Sequence, residues 1–315
     1  MSKPGGRAST TTLIGRPGWS ETRPDEPFIS VVMPVRGVQP DIGDQLEALS
    51  RQQYAGRWEL LLADNGCHTS TLEVVESWKG VIPKLRIIDA RSRLGANFAR
   101  NKAVDEAAGT LIAICDSDDV VTPGWLDGLS RSARSAEMVG GHLDVTVLNP
   151  PLLQAWRPSP TEHGLPLGLD FLPYVAGSNC AIWRDVYQAV GGCDEELVGG
   201  GGGDDVDLSW RVQLVGGRVV FAPDAVVHYR LRSDMRSMVR QMTAYGMSAA
   251  LLYRKFRAYG AQRPRLTVAG KHWIRVVQRG PRELGRPDTR GGWIREVAYL
   301  LGRLHGAVRH RVLYW

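Results

Sequence analysis

Cysteine is scarce in this chain of 315 residues, and its four cysteines, Cys67, Cys115, Cys180 and Cys193, are far apart. No two of them form a Cys-x-x-Cys pair, and none has a histidine at metal-ligand spacing. The pattern therefore argues against a zinc site or a disulfide framework. A reducing compartment fits it better, and we expect a cytoplasmic protein.

Long hydrophobic runs are missing as well. No apolar stretch approaches the roughly 18 residues that a membrane-spanning helix needs, so we expect any membrane contact to be peripheral, at the inner face of the membrane. Residues 1–27 are rich in Gly, Pro, Ser, Thr and Arg and contain no apolar core segment. This composition predicts a flexible leader rather than a secretory signal.

Charge is plentiful but unevenly distributed along the chain, whose net charge is +6. Residues 230–315 contain 19 Lys/Arg and 4 Asp/Glu, a balance of +15, whereas residues 1–229 contain 20 Lys/Arg and 29 Asp/Glu, a balance of −9. A basic segment is typical of binding to the phosphates of a lipid surface, a nucleic acid or an acceptor, or it is a solvated helix surface. We expect no nucleic-acid partner, because no recognised reader motif accompanies the charge.

Short apolar segments alternate with segments of helical periodicity in the first half of the chain. The nearly all-apolar strands predict an α/β fold, with a mostly parallel sheet and helices on both faces. Ligands of such sheets bind beyond the carboxyl ends of the strands. The predicted strands are residues 29–33, which end before Pro34, 58–63, 85–88 and 110–115, and the predicted helices are residues 41–53, 72–78, 95–108 and 123–136.

The pattern loosens after residue 138. Residues 149–173 carry several prolines and predict a long loop or lid, and the glycines at 199–203 predict a hinge. Further on, the pattern predicts a strand at residues 174–183, two short strands at 218–222 and 225–229, and helices at 184–190, 204–215 and 232–259. The remaining basic segment is predicted to be helical in parts. We therefore divide the chain into a flexible leader (1–27), a main domain (28–230) and a basic, largely helical C-terminal extension (231–315).

The sequence Asp116-Ser117-Asp118-Asp119 directly follows the fourth predicted strand. Carboxylates two residues apart at a strand end present oxygen ligands to a hard divalent cation, Mg²⁺ or Mn²⁺. Such a cation would neutralise the phosphates of a nucleoside diphosphate. The alternative is an acidic loop or a helix cap, because a triplet of this type is common by chance.

A second acidic cluster, with Asp204, Asp205 and Asp207, follows the glycine run. A carboxylate here is a candidate general base toward an acceptor hydroxyl, since negative neighbours and partial burial raise a carboxyl pKa. Asp is also favoured in the first turn of a helix, so the same cluster predicts a helix start. Of the three residues, Asp207 is the one that we expect to be structural.

Two single residues are candidates that also have a simpler structural explanation. His228 ends a short apolar strand and is a candidate third metal ligand, although an isolated histidine beside a strand is more often structural. Arg100 lies in the helix predicted from residue 95 and is a candidate phosphate contact, although a salt bridge explains it more simply.

Six segments, taken in order, resemble the motifs of the family 2 glycosyltransferases. The resemblance covers about residues 28–230 and implies the A-type glycosyltransferase fold, a nucleotide-diphospho-sugar transferase fold. This sequence departs from the usual motifs where Arg36-Gly37 replaces Tyr-Asn, Cys193 replaces Phe and Asp204 replaces Glu. The six segments are residues 29–35, 64–67, 94–101, 116–119, 191–195 and 203–208.

The resemblance also implies roles for the candidate residues. It makes the main domain a catalytic domain that works by inversion, with Asp205 as the base beside Asp204. It places Mg²⁺ or Mn²⁺ at Asp116 and Asp118, with His228 as a late metal ligand. The donor-binding residues that it implies are Pro34, Val35, Asp64, Arg100, Asp116 and Ser117.

The expected partners are a nucleotide-sugar donor and a carbohydrate, lipid-linked or small-molecule acceptor, as in cell-wall or polysaccharide biosynthesis. The basic extension is expected to contact an anionic membrane. Two alternatives stay open at this point. One is a nucleotidyltransferase on a similar fold, although residues 34–37 match the glycine-rich phosphate loop expected there only weakly. The other is a non-catalytic nucleotide-sugar-binding homologue.

Overall fold

The computed structural model describes Trp19, residues 22–197 and residues 202–315. Most of the predicted leader (1–27) and part of the predicted glycine hinge (199–203) therefore lie outside the described residues. Within the leader, Trp19 packs against the hydrophobic core.

All the strands and helices predicted between residues 29 and 136 are present. A further two strands, not predicted from the sequence, follow in this part of the chain. The elements are β1 (Ile29–Gly37), α1 (Ile42–Ser50), β2 (Trp58–Cys67), α2 (Thr69–Ser77), β3 (Arg86–Asp89), α3 (Ala96–Asp105), β4 (Leu111–Cys115), β5 (Val120–Val121), α4 (Trp125–Ala133) and β6 (Met138–Asp144).

The first strand is longer than predicted, because β1 continues through Pro34 to Gly37. β1 pairs with β2 along most of its length but with β4 only over residues 29–32. Pro34 therefore lies where the strand has a paired neighbour on one side only, and a residue without an N–H is tolerated at such a position.

In the second half of the chain, the predicted strand at 174–183 and the predicted helices at 184–190, 204–215 and 232–259 are present, whereas residues 149–173 are more ordered than predicted. The predicted loop at 149–173 contains a helix and a two-stranded hairpin, and the two predicted strands at 218–222 and 225–229 are one strand with an irregularity in its pairing. The elements are α5 (Pro151–Trp156), β7 (Leu167–Gly168), β8 (Leu172–Pro173), β9 (Asn179–Trp183), α6 (Arg184–Ala189), α7 (Asp204–Leu214), β10 (Val219–His228), α8 (Met235–Phe256), a 3₁₀ turn (Arg257–Tyr259), α9 (Leu266–Leu284) and α10 (Pro287–Arg309).

Within the described residues, eight strands form one sheet in the order β3-β2-β1-β4-β9-β6-β10-β5. β9 runs antiparallel to β4 and β6, and β5 runs antiparallel to β10, whereas the other strands are parallel. The predicted α/β fold with a mostly parallel sheet is therefore confirmed. The carboxyl ends of β1, β2, β4, β6 and β10 share one edge, where ligands of such sheets bind.

A tryptophan anchors the helix that carries the second acidic cluster. Trp210 of α7 is fully buried and packs edge-to-face against Phe171 and Phe256, with centroids 5.1 Å away in both cases. Its indole N–H donates to the carbonyl of Leu172 at 2.9 Å. Removing a buried aromatic side chain of this size typically costs about 3–5 kcal/mol. The contacts thus fix α7 against α8 and the segment before β9.

Candidate active site

Three carboxylates form an acidic cluster just after β4. One oxygen each of Asp116, Asp118 and Asp119 lies within 4.8 Å of the others. Asp119 is buried; its Oδ1 accepts a hydrogen bond from the N–H of Arg230 at 2.8 Å, whereas its Oδ2 has no partner among the described residues. A buried carboxylate oxygen without a donor is unfavourable, and oxygen ligands of this kind suit hard divalent cations. The cluster therefore fits Mg²⁺ or Mn²⁺.

Burial disfavours the ionised form of the carboxylates in this cluster. Burial raises the pKa of Asp116 to about 6, against the opposing effect of the Arg100 guanidinium. Burial also raises the pKa of Asp119 well above its ordinary value, and the negative charges of Asp116 and Asp118 add to the effect. A positive charge placed among these carboxylates would relieve the repulsion.

The second acidic cluster forms the first turn of α7, as the sequence predicts. The helix begins after Gly203, whose φ of 93° is left-handed and suits glycine. A Cβ at that position would also come within 3.1 Å of the Ser248 side chain. Asp207 is fully buried and pairs with Arg211 and Lys255, which agrees with the structural role expected for it.

Asp205 is held by two backbone amides and faces the cleft. Its Oδ2 accepts the N–H of Gly177 at 3.1 Å, and its Oδ1 accepts the N–H of Val206 at 2.8 Å. Burial, and then the charge of Asp204, raise the pKa of Asp205 to about 6. A carboxylate with a pKa near the working pH is suited to accept a proton.

Arg100 brings the two acidic clusters together. This buried arginine of α3 donates to Asp204 at 2.5 Å, and its other terminal nitrogen lies 3.5 Å from Asp116. A salt bridge is thus what the structure shows for Arg100, and it links the two clusters directly. The aspartates at 116–118 and 204–205, distant in the sequence, therefore meet at one edge of the sheet.

Both clusters line a single cleft of about 810 Å³, a volume within the range of small-molecule sites. Most of the residues singled out from the sequence contribute to its wall. They are Pro34, Val35, Arg100, Asp116, Ser117, Asp118, Asp204 and Asp205.

Asp64, predicted as a donor contact, is buried and does not line the cleft formed by the described residues. Its Oδ1 accepts the N–H groups of Gly66 and Cys67 at 3.0 and 2.8 Å. The neighbouring Asn65 lines the cleft, and its Oδ1 accepts the N–H of Gly95 at 2.8 Å. Asp64 thus shapes the turn that presents Asn65 to the cleft.

His228 lies at the end of β10, opposite Val120 of β5. Its Nδ1 is 3.0 Å from Oδ2 of Asp144, at the end of the neighbouring β6. The compact carboxylate cluster in the described residues does not include it, and its metal role stays a prediction.

The sequence did not single out two arginines that surround the acidic cluster. Arg232 donates to Asp118 at 3.1 Å, and Arg230 donates to the backbone carbonyl of Asp118 at 2.9 Å. Asp119 was part of the motif but was not predicted as a ligand. The alternation of basic residues directly after His228 was the available signal for the arginines.

A further part of the cleft wall comes from α8 and from the segment after α5. The sequence placed α8 in the extension, outside the catalytic domain, yet it completes the cleft. Its contributions include Gln241, Tyr245 and Leu252, and Arg157 lies beside them.

Family models match this chain in two overlapping regions. The model of glycosyl transferase family 2 matches residues 30–191, and that of glycosyl transferase family group 2 matches residues 111–279. Each region covers just over half of the chain.

Individual relatives agree with the family match. The chain is 27% identical to glycosyltransferase AglE of Haloferax volcanii over 203 residues, 64% of this chain and 66% of that protein. It is 26% identical to the succinoglycan biosynthesis protein ExoM of Rhizobium meliloti over 243 residues, 75% of this chain and 74% of that protein. The chain thus spans just under two thirds of AglE.

The fold also matches a solved glycosyltransferase. The mannosyltransferase PcManGT from Pyrobaculum calidifontis superposes with a TM-score of 0.60 at 17% identity, covering 96% of this chain and 92% of that one. At this identity the similarity shows the fold alone, which agrees with the A-type fold that the sequence motifs imply. The chain therefore belongs to glycosyl transferase family 2.

Proposed function

We propose that this protein moves a sugar from a nucleotide-sugar donor to an acceptor hydroxyl, with inversion at the anomeric carbon. The observation that carries the proposal is the shared cleft, whose wall includes Asp116 and Asp118 of the first acidic cluster and Asp205 of the second. Such a reaction requires a site for the leaving diphosphate and a base, both within reach of the same carbon.

The nucleotide is assigned to the side of the cleft formed by the ends of β1, β2 and α3. Pro34, Val35 and Ser117 line this side, and Asp64 supports Asn65 there. The mannosyltransferase from Pyrobaculum calidifontis was solved with GDP-Man and Mn²⁺, which supports a nucleotide-sugar donor for this fold.

The divalent cation, Mg²⁺ or Mn²⁺, is assigned to Asp116 and Asp118, together with Asp119 and the late His228. When bound, the cation supplies positive charge that stabilises the leaving diphosphate. The Oδ2 of Asp119, which has no hydrogen-bond partner in the described part of the chain, supports the assignment. Arg232, which contacts Asp118, adds a fixed positive charge to the same region.

The chain's own part in the reaction is centred on Asp205. Its carboxylate takes the proton of the acceptor hydroxyl while that oxygen bonds to the anomeric carbon and the bond from this carbon to the diphosphate breaks. Asp204 helps by keeping the pKa of Asp205 raised. Arg100 holds Asp204 and Asp116 in place, and we assign it a contact with the donor as well.

The C-terminal extension is proposed to contact an anionic membrane through α9. No helix in the described part of the chain combines the length and apolarity that crossing a bilayer requires. On α9, however, Leu266, Ile274, Val277 and Leu284 share one exposed face at helical spacing.

Basic side chains occupy another side of α9, next to the exposed Val268. Lys271, Arg275 and Arg282 lie on the side away from the exposed apolar face, and Val276 and Gly280 pack toward α10. An exposed apolar face beside a basic one is typical of helices that lie in a membrane interface. The inner face of a membrane, which is negatively charged, is therefore the proposed location.

A donor screen tests the proposed activity. Purified protein is incubated with several nucleotide-sugars and either Mn²⁺ or Mg²⁺, and released nucleoside diphosphate is measured, with product stereochemistry followed by NMR. We expect metal-dependent release of nucleoside diphosphate and an inverted product. Release of pyrophosphate from a nucleoside triphosphate would instead support the nucleotidyltransferase alternative, and a retained anomeric configuration would contradict inversion.

Calorimetry with nucleoside diphosphate and Mn²⁺ tests the metal assignment and the non-catalytic alternative. Asp118→Ala is expected to weaken binding at least tenfold, whereas Asp127→Ala, which removes a half-exposed carboxylate on α4, is the matched control. Equal binding by both variants would contradict the metal site. Intact binding without turnover in the donor screen would favour a binding protein.

A further inference from the structure

Resting on the proposed function, we propose that Arg157 forms a subsite for an anionic group, a phosphate or a carboxylate, carried by the acceptor. Arg157 follows α5 and reaches the cleft beside α8. The known motifs of the sequence do not include it, and the donor and metal assignments above do not use it.

The partners of Arg157 are all neutral. One guanidinium nitrogen donates to Oε1 of Gln241 at 2.6 Å, and the group lies 5.7 and 5.8 Å from the ring centroids of Tyr229 and Tyr245. Among the described residues, it forms no ion pair with a carboxylate. A guanidinium stays charged in proteins, and a largely buried charge is normally paired.

A second arginine adds positive charge behind Arg157. Arg295 of α10 is partly buried, and its Nε has no hydrogen-bond partner among the described residues. Burial lowers the pKa of Arg295, and the nearby positive charge of Arg157 lowers it further. The Glu296 carboxylate offsets part of the charge of Arg295, but the two guanidinium groups still repel each other, and such a local positive field favours an anion.

The position of Arg157 in the cleft favours the acceptor over the donor. The proposed nucleotide side is formed by residues 34–36, 65 and 95–97, whereas Arg157 lies beside the ring of Tyr245. That ring packs against Gly202, directly before the helix that carries Asp205. Asp205 is the proposed base and must touch the acceptor hydroxyl. An anion bound by Arg157 therefore lies on the acceptor's side.

The test uses small probes, with the donor site filled. Full-length protein is saturated with Mg²⁺ and the nucleoside diphosphate that binds best, and binding of phenyl phosphate, benzoate and benzyl alcohol is measured by ligand-observed NMR. We expect an anionic probe to bind and the neutral alcohol to fail. Comparing the affinity for phenyl phosphate with that for benzoate distinguishes a phosphate-bearing acceptor from a carboxylate-bearing one.

Variants assign the effect to Arg157. Arg157→Gln should weaken binding of the anionic probe at least tenfold. It should leave the Kd for the nucleoside diphosphate within twofold of the wild-type value. Arg240→Gln, which removes an exposed charge on α8, should change neither. Arg157→Lys keeps the positive charge but lacks the planar guanidinium, so it should restore part of the binding. This variant remains informative if the glutamine variant does not fold.

The possible results separate the subsite from the proposed function. Equal anion binding by Arg157→Gln and the wild type would overturn the subsite, as would equal binding of the neutral probe. A matching loss of nucleoside diphosphate affinity would show that Arg157 serves the donor instead. Absence of any nucleoside diphosphate binding by the wild type would contradict the proposed function itself, whereas normal nucleotide binding without anion binding would contradict the subsite alone.

Discussion

Arg100 donates a hydrogen bond to Asp204 at 2.5 Å, although the two residues are 104 positions apart in the chain. The same guanidinium lies 3.5 Å from Asp116. One buried cation thus offsets a negative charge in each acidic cluster. Without it, carboxylates of both clusters would face each other in a partly buried cleft, which is unfavourable.

Arg100→Met is therefore expected to reduce both stability and activity. Removing one partner of a buried ion pair typically costs about 3–5 kcal/mol, which urea unfolding would measure. Release of nucleoside diphosphate from the best donor should fall at least a hundredfold, because Asp116 and Asp204 lose their shared support.

Two further variants are controls for this prediction. Arg100→Lys keeps the charge and should recover part of the stability. Arg131→Gln removes an exposed arginine that pairs with Asp127 and Asp224, and such surface pairs contribute about 0–1 kcal/mol. Equal stability of Arg100→Met and the wild type would mean that the bridge does not hold the clusters together.

The raised pKa of Asp205 predicts the pH dependence of the reaction. A base with a pKa of about 6 is largely ionised at pH 8 and becomes protonated as the pH falls through 6. Turnover should therefore fall on the acidic side with a midpoint near pH 6. Asp205→Asn should lower turnover by a factor of about 10²–10⁴, the usual contribution of a general base, and remove this limb of the profile.

A stability measurement tests the raised pKa of Asp205 independently of turnover. Because the folded-state pKa of Asp205 is raised above its ordinary value, its protonated form stabilises the fold at low pH. That contribution is lost as the pH rises from about 4 through about 6, by up to about 3 kcal/mol. The free energy of unfolding of the wild type, compared with that of Asp205→Asn, should therefore fall as the pH rises over this range. A difference between the two proteins that stays constant with pH would contradict the raised pKa.

Membrane binding should depend on both faces of α9. Flotation with anionic vesicles would measure it, and the double variant Ile274→Gln/Val277→Gln should bind at least tenfold less, since these side chains are 58% and 66% exposed. Lys271→Gln/Arg275→Gln should reduce binding to anionic vesicles similarly, because each basic residue near such a surface contributes about 1 kcal/mol.

The control for the membrane test is Val81→Gln, which alters an equally exposed valine in the loop between α2 and β3. It should bind like the wild type. Undiminished binding by the two α9 double variants would exclude α9 as the contact surface.

The sequence by itself determined the α/β class, most strands and helices up to residue 136, and the two acidic motifs at 116–119 and 204–207. These follow from local properties: apolar periodicity, turn residues, and short motifs whose members are neighbours in the chain. The strand end after Cys115 and the helix start at Asp204 were predictable for the same reason.

Only the tertiary structure decided which of these parts meet. The bridge from Arg100 to Asp204, the contact of Arg232 with Asp118 and the place of Arg157 beside α8 join residues far apart in the chain. His228 likewise faces Asp144 through the pairing of β10 with β6. Such contacts depend on strand order and helix packing, which bring together side chains that no local pattern relates, and so the sequence alone does not specify them.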